Sequence, residues 1–105
     1  MSDTSQDSLV IAIKSHFGEQ SLPALQYNID YEDLRSALAA YIKSLMNENK
    51  AYLYASLYRI DVSEKDVRLA LSQNIPEFLL AEMILKKLKE KLYWRNKYKT
   101  NDKID

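Results

Sequence analysis

DYEDLRSALAAYIKSLMNENKAYLYASLYRI, residues 30–60, is the stretch that decides the fold. Its apolar residues recur at Leu34, Leu38, Tyr41, Ile42, Leu45, Met46, Leu53, Leu57 and Ile60. That is the three-to-four spacing of an amphipathic helix and not the alternation of a strand. Turned through ~100° per residue, Leu38, Ile42, Leu45, Leu53 and Ile60 fall within one quadrant or close to it. The phase therefore carries across Asn47-Glu48-Asn49-Lys50. The stretch is either one long helix or two helices broken near Asn49, a residue type suited to opening a new helix, and two helices or one kinked helix is the favoured reading. Asp30, followed by Tyr31-Glu32-Asp33, suits the start, because carboxylates interact favourably with the positive end of the helix dipole. From Ala51 to Ile60 Arg59 is the sole charge. A helix apolar on nearly every face is normally buried on more than one side, so residues 50–60 are expected at the centre of a bundle.

The composition of the whole chain agrees with helices. One Gly and two Pro in 105 residues leave almost no turn chemistry, and β-hairpins lean on Gly, Asn-Gly and Asp-Gly. The expected fold is a single-domain, all-α bundle of four to five helices with a long C-terminal helix. Residues 1–7 read as a disordered tail, residues 8–99 as the bundle and residues 100–105 as a frayed C-terminal tail. Leu9, Val10, Ile13 and Phe17 lie at helical spacing behind Ser8, although residues 9–13 alone also fit a strand. Gly18 stands where a helix end takes a left-handed residue. Residues 19–29 form a linker containing Pro23. Ser63-Glu64-Lys65-Asp66 resembles a capping box and opens a short helix with Val67, Ala70 and Leu71 inward. Pro76 suits a first helical position. From it a helix to residue 99 turns Ala81, Ile84, Leu85, Leu88 and Leu92 to the core, with Phe78 at the edge.

Several chemistries are excluded or unsupported. No cysteine is present, which removes disulfides and thiolate metal sites. The single glycine excludes a P-loop or dinucleotide fingerprint. His16 is the only imidazole, whereas zinc and di-iron sites need several converging ligands. The acidic groups Asp30, Glu32, Asp33, Asp61, Asp66, Glu77 and Glu82 sit at helix starts or caps, where the dipole accounts for them. No enzyme activity, cofactor or small-molecule substrate is expected. No run reaches 18 apolar residues, so no membrane span is expected. The polar, acidic N-terminus lacks a secretory n-region, and the expected location is the cytoplasm.

The charge distribution points to a partner. Basic and acidic residues cancel at 15 each, but residues 86–105 carry 8 basic and 3 acidic side chains, and residues 1–85 the opposite imbalance. A field of one sign attracts the other. On the last helix Trp94, Lys87, Tyr98 and Lys91 fall about 240–300° from Leu88, off the core stripe. Helix 76–99 spans about 36 Å at ~1.5 Å per residue, against roughly 33 Å for the diameter of a globule of this size. Its last turns should overhang. Lys87, Lys91, Trp94, Arg95 and Tyr98 are therefore the candidate partner-binding residues. They would serve a homodimer or an adaptor contact, or alternatively grip RNA phosphates and stack on bases. The structural alternative is a tryptophan packed on a neighbouring helix under lysine stems. Arg59 needs an acceptor, and a structural ion pair between Arg59 and Glu82 is expected, with Asp66 as the other candidate partner.

Leu57-Tyr58-Arg59-Ile60-Asp61-Val62-Ser63-Glu64-Lys65, followed by Leu80-Ala81-Glu82-Met83-Ile84 and a basic end, resembles a group of small uncharacterised bacterial all-helical proteins with a Leu-Tyr-Arg-Ile-Asp-Val segment. The likeness covers about residues 45–98, with Met83 where the group has Leu. It implies a helical fold and a basic C-terminal helix, and no activity.

Overall fold

The computed structural model describes the backbone of residues 4–22 and 29–104, and the side chains of residues 8–19, 21, 22, 29–95 and 97. Among the described residues five α-helices follow in order: α1 (Thr4–Phe17), α2 (Tyr31–Glu48), α3 (Lys50–Ile60), α4 (Glu64–Leu71) and α5 (Pro76–Ile104), with a 3₁₀ turn (Glu19–Ser21) after α1. The expected all-α bundle with a long last helix is what the chain forms. Residues 9–13 are helical. The first helix begins at Thr4 rather than Ser8, so residues 4–7, expected in a tail, belong to it; residues 1–3 lie outside the described residues. Pro23 does too. At the other end helical backbone continues to Ile104, past the expected stop at residue 99.

The largest interface joins α2 and α5. Leu34, Leu38, Ile42 and Leu45 form a stripe on α2, and Leu80, Ala81, Ile84, Leu85 and Leu88 face it from α5, all buried. Removing each large aliphatic side chain from water contributes about 1.5–3 kcal/mol. The pair runs antiparallel: Arg35, one turn into α2, bridges to Glu82, while Lys89, two turns further along α5, lies 4.9 Å from the ring centre of Tyr31 at the start of α2. Leu9, Ile13 and Phe17 of α1, and Leu53, Leu57 and Ile60 of α3, complete the same core.

Local chemistry sets each boundary. Asp30 caps α2 by accepting from the Asp33 N–H at 2.8 Å. Asn49 ends one helix and begins the next: its own N–H donates to the Leu45 carbonyl, while its side chain accepts from the Tyr52 N–H. Residues 30–60 are thus two helices. Asp61 takes the left-handed conformation (φ 79°, ψ 36°). Its N–H donates to Tyr58 O and that of Val62 to Leu57 O, both at 3.0 Å, the paired pattern that closes a helix C-terminus, with buried Val62 against buried Leu57. The Ser63 hydroxyl then accepts from the Asp66 N–H at 3.1 Å, as the capping motif predicts. Gly18 departs from expectation: at φ 100°, ψ 158° it occupies a region open essentially to glycine alone, not the left-handed helical one.

One placement is corrected. α3 is not central. Only Leu53, Ser56, Leu57 and Ile60 of it are buried, and its other face leaves Tyr54 at 42% and Tyr58 at 84% exposure. A low charge count does not distinguish a helix buried on two sides from one that presents an aromatic face to the surface. Leu38→Ala, at the seam, should lower unfolding free energy by about 2–5 kcal/mol; Leu69→Ala, at an exposed residue of α4, should change it by less than about 0.5 kcal/mol. Urea denaturation of the two variants checks the difference.

Candidate interaction surfaces

α2 has 18 residues and α5 has 29, so α5 outruns the helix it packs on by about 16 Å. The longest dimension of the molecule is 47 Å, against 31 and 21 Å across. Among the described residues of α5 Leu88 is the last that is buried, and Leu92 is partly covered. Beyond it Tyr93, Trp94, Arg95 and Lys97 are all exposed, as the overhang predicted. Tyr93 and Trp94 meet edge to face, ring centres 5.4 Å apart. The Lys97 ammonium lies 5.4 Å from the Trp94 ring centre and 6.0 Å from that of Tyr93, an arrangement in which the ring quadrupoles attract the cation.

The expected site residues divide. Trp94 and Arg95 sit together on the exposed end. Lys91 is exposed one turn nearer the body, and Lys87, half-buried, pairs with Glu90 at 3.8 Å. The Tyr98 side chain lies outside the described residues, so its pairing with Trp94 does too. Lys97 belongs to the overhanging arm as the sequence places it; Tyr93 was missed. An i, i+4 search for neighbours of Trp94 passes over Tyr93, although adjacency brings the two rings together.

Arg59 and Glu82 do not pair. Glu82 is taken by Arg35, which also reaches Glu32 at 2.7 Å; these carboxylates hold the guanidinium pKa above its usual value, chiefly through the Glu82 hydrogen bond. Arg59 instead donates to the His16 carbonyl at 3.1 Å and to the Ser56 hydroxyl at 3.2 Å. The physical reason lies at the end of α1, whose last carbonyls lack intrahelical partners and carry the negative end of the dipole. Tyr52 donates to the Phe17 carbonyl at 3.0 Å, and Tyr41 lies 3.4 Å from it. Three side chains from α2 and α3 thus supply the donors that the end of α1 lacks, and a helix terminus takes the place of a carboxylate. His16 lies among cations here: burial first, then Lys91 and Arg59, lower its pKa. Among the described residues no three His, Cys, Asp or Glu side chains gather as a metal site would require, and no helix is long and apolar enough to cross a membrane.

The second surface is a groove of about 550 Å³ between α3 and α4, lined by Tyr54, Ala55, Leu57, Tyr58, Val62, Val67 and Leu71, with Glu64 and Arg68 at its rim. Its lining is mostly apolar and aromatic, the usual character of a recognition site. Tyr54 and Tyr58, four residues apart, share a face of α3 about 100° round from Leu53 and Leu57, and their spacing alone does not say whether a neighbouring helix covers it. No protein-family model, curated protein or solved structure matches the chain. The likeness of residues 45–98 to small helical bacterial proteins therefore carries no functional argument.

Two outcomes follow from the polar contacts. A double-mutant cycle on Arg59 and Glu82 should give a coupling below about 0.5 kcal/mol, the additivity of independent sites, while Arg35 and Glu82 should couple measurably. Because the folded-state pKa of His16 is lowered, the unfolded chain binds the extra proton first. The His16 contribution is complete above the unfolded value near 6.5 and is lost as pH falls below it. The melting temperature should decline between pH 7 and 5, and His16→Gln should flatten that decline.

Proposed function

We propose that this chain is a small helical interaction protein, a homodimer or an adaptor, rather than an enzyme. The observation that carries the reading is the pair of exposed aromatic surfaces: Tyr54 and Tyr58 on the α3–α4 groove, and Tyr93 and Trp94 on the overhanging end of α5. Exposed aromatic residues beside apolar side chains are what protein interfaces use as anchors. The opposite charges of the two parts of the chain add long-range attraction for a complementary surface. The contact residues on the arm are Lys91, Trp94 and Arg95 together with Tyr93 and Lys97, with Lys87 and Tyr98 as the remaining candidates. A cytoplasmic, bacterial setting belongs to the same proposal.

A second reading, binding of single-stranded RNA, is favoured by one observation: Lys97 lies over two exposed rings, so a stacking platform comes with a phosphate-binding cation. The readings separate in two measurements. Light scattering on the full chain at high micromolar concentration should return twice the chain mass if the homodimer is right, and the single-chain mass if it is not. Labelled RNA gripped by the arm would neutralise about four or five phosphates, giving a slope of log affinity against log salt of about −3. Absence of binding at low salt excludes the RNA reading.

A further inference from the structure

We propose that the groove between α3 and α4 receives the basic aromatic arm of α5 from a second copy of this chain, each copy laying its arm into the groove of the other. This rests on the reading as an interaction protein, and it names both the partner and the two surfaces that meet.

Each surface has what the other lacks. Leu57, Val62, Val67 and Leu71 line an open groove beside Tyr54 and Tyr58. The arm presents two more large aromatic side chains, Tyr93 at 59% and Trp94 at 51% exposure. A groove of about 550 Å³ is within the size range of pockets that hold compact ligands or anchor side chains. Tyr93, Trp94, Arg95 and Lys97 stand exposed on the projecting end, and short helical segments in water are marginal without tertiary packing. Laying the arm on an apolar surface supplies that packing.

The occupant cannot be the chain's own arm. α5 is one unbroken helix from Pro76 to Ile104, so its end points away from the body, and reaching its own groove would require breaking it. The arm nevertheless leaves from the elements that carry the groove. α5 packs against both α3 and α4 as well as α1, and Arg59, next to Tyr58 of the groove lining, donates to the His16 carbonyl at the end of α1. A two-fold axis beside the groove returns a partner's arm along α3 and α4 while this chain's arm does the same in exchange. The result is a closed, self-complementary pair.

Charge supports a second copy over an unrelated partner. The chain is neutral overall, yet 8 basic and 3 acidic residues fall in 86–105, leaving the remainder acidic by the same excess. Glu64 lines the groove, and Asp61 and Asp66, exposed as it is, stand within three residues of it in sequence. Lys65 and Arg68 are interspersed with them on α4, so the net field of the body draws the arm in and burial of the rings fixes its register.

The absence of cysteine makes a direct test available. Tyr58→Cys and Trp94→Cys are made as single variants of the full chain, mixed, and oxidised. The expected product is a disulfide-linked dimer containing one of each, identified by mass spectrometry of the linked peptides. Tyr58→Lys, at an 84% exposed position, should leave the helical circular dichroism unchanged and weaken self-association by about tenfold or more in sedimentation. A dimer that Tyr58→Lys leaves equally tight, or in which Trp94→Cys links only to itself, overturns the arm-in-groove contact while the interaction reading stands. A strict monomer at high micromolar concentration overturns both the contact and the homodimer, and a monomer that binds RNA through the arm transfers that surface to the second reading.

Discussion

The antiparallel seam between α2 and α5 is the interaction on which the rest depends. Leu34, Leu38, Ile42 and Leu45 meet Leu80, Ala81, Ile84, Leu85 and Leu88 with essentially no exposure, and the other helices pack against that pair. The seam also fixes a mismatch. α2 supplies 18 residues of support and α5 has 29, so once the register is set by the apolar stripe, the surplus must emerge at one end. The ion pair of Arg35 with Glu82 and the approach of Lys89 to Tyr31 lie along the same seam and favour this register over a shifted one. The basic aromatic arm is thus a consequence of packing geometry.

The end of α1 illustrates how the remaining polar groups are accommodated. Its free carbonyls are met by Arg59, Tyr52 and, more distantly, Tyr41, each from a helix far away in sequence. A typical hydrogen bond contributes about 0.5–1.5 kcal/mol net, but a buried carbonyl left without a donor costs more. These contacts therefore act as constraints on where α1 can sit. They also account for tyrosines and an arginine in helices whose other positions are apolar. Tyr41 has its pKa raised by burial, in keeping with a hydroxyl that serves as a neutral donor.

The contrast between the two faces of α3 bears most directly on function. Leu53, Leu57 and Ile60 belong to the core, whereas Tyr54 and Tyr58 stay at the surface and with α4 form the apolar groove. The helix is held in this orientation by its hydrophobic inner stripe and by Asp61, whose left-handed conformation turns the chain into α4. An open apolar groove and a protruding aromatic arm on one small chain invite mutual cover, because burial of such surface is the principal driving force for association.

Much of this was legible in the residue order, because helical periodicity, caps and the scarcity of glycine act locally. Asp30, Asn49 and Ser63 cap the helices expected of them, and Ala81, Ile84, Leu85 and Leu88 form the expected core face. The overhang of the last helix was also readable, since helix length and body size follow from residue counts; that Trp94 is exposed on it instead of packed on a neighbouring helix was not. The partner of Arg59 was not: whether a guanidinium meets Glu82 or the end of α1 depends on which helices become neighbours, and Glu82 was nearer Arg35. The exposure of Tyr54 and Tyr58 was hidden for the same reason, because a wheel gives the faces of a helix but not which of them a neighbour covers. By itself, then, the sequence determined the helices, the caps at Asp30, Asn49 and Ser63 and the charge of the arm, all properties of residues a few positions apart. Only the tertiary structure decided the ion pairs, the outward face of α3 and the groove beside it, because each depends on contacts between residues brought together by the packing of whole helices.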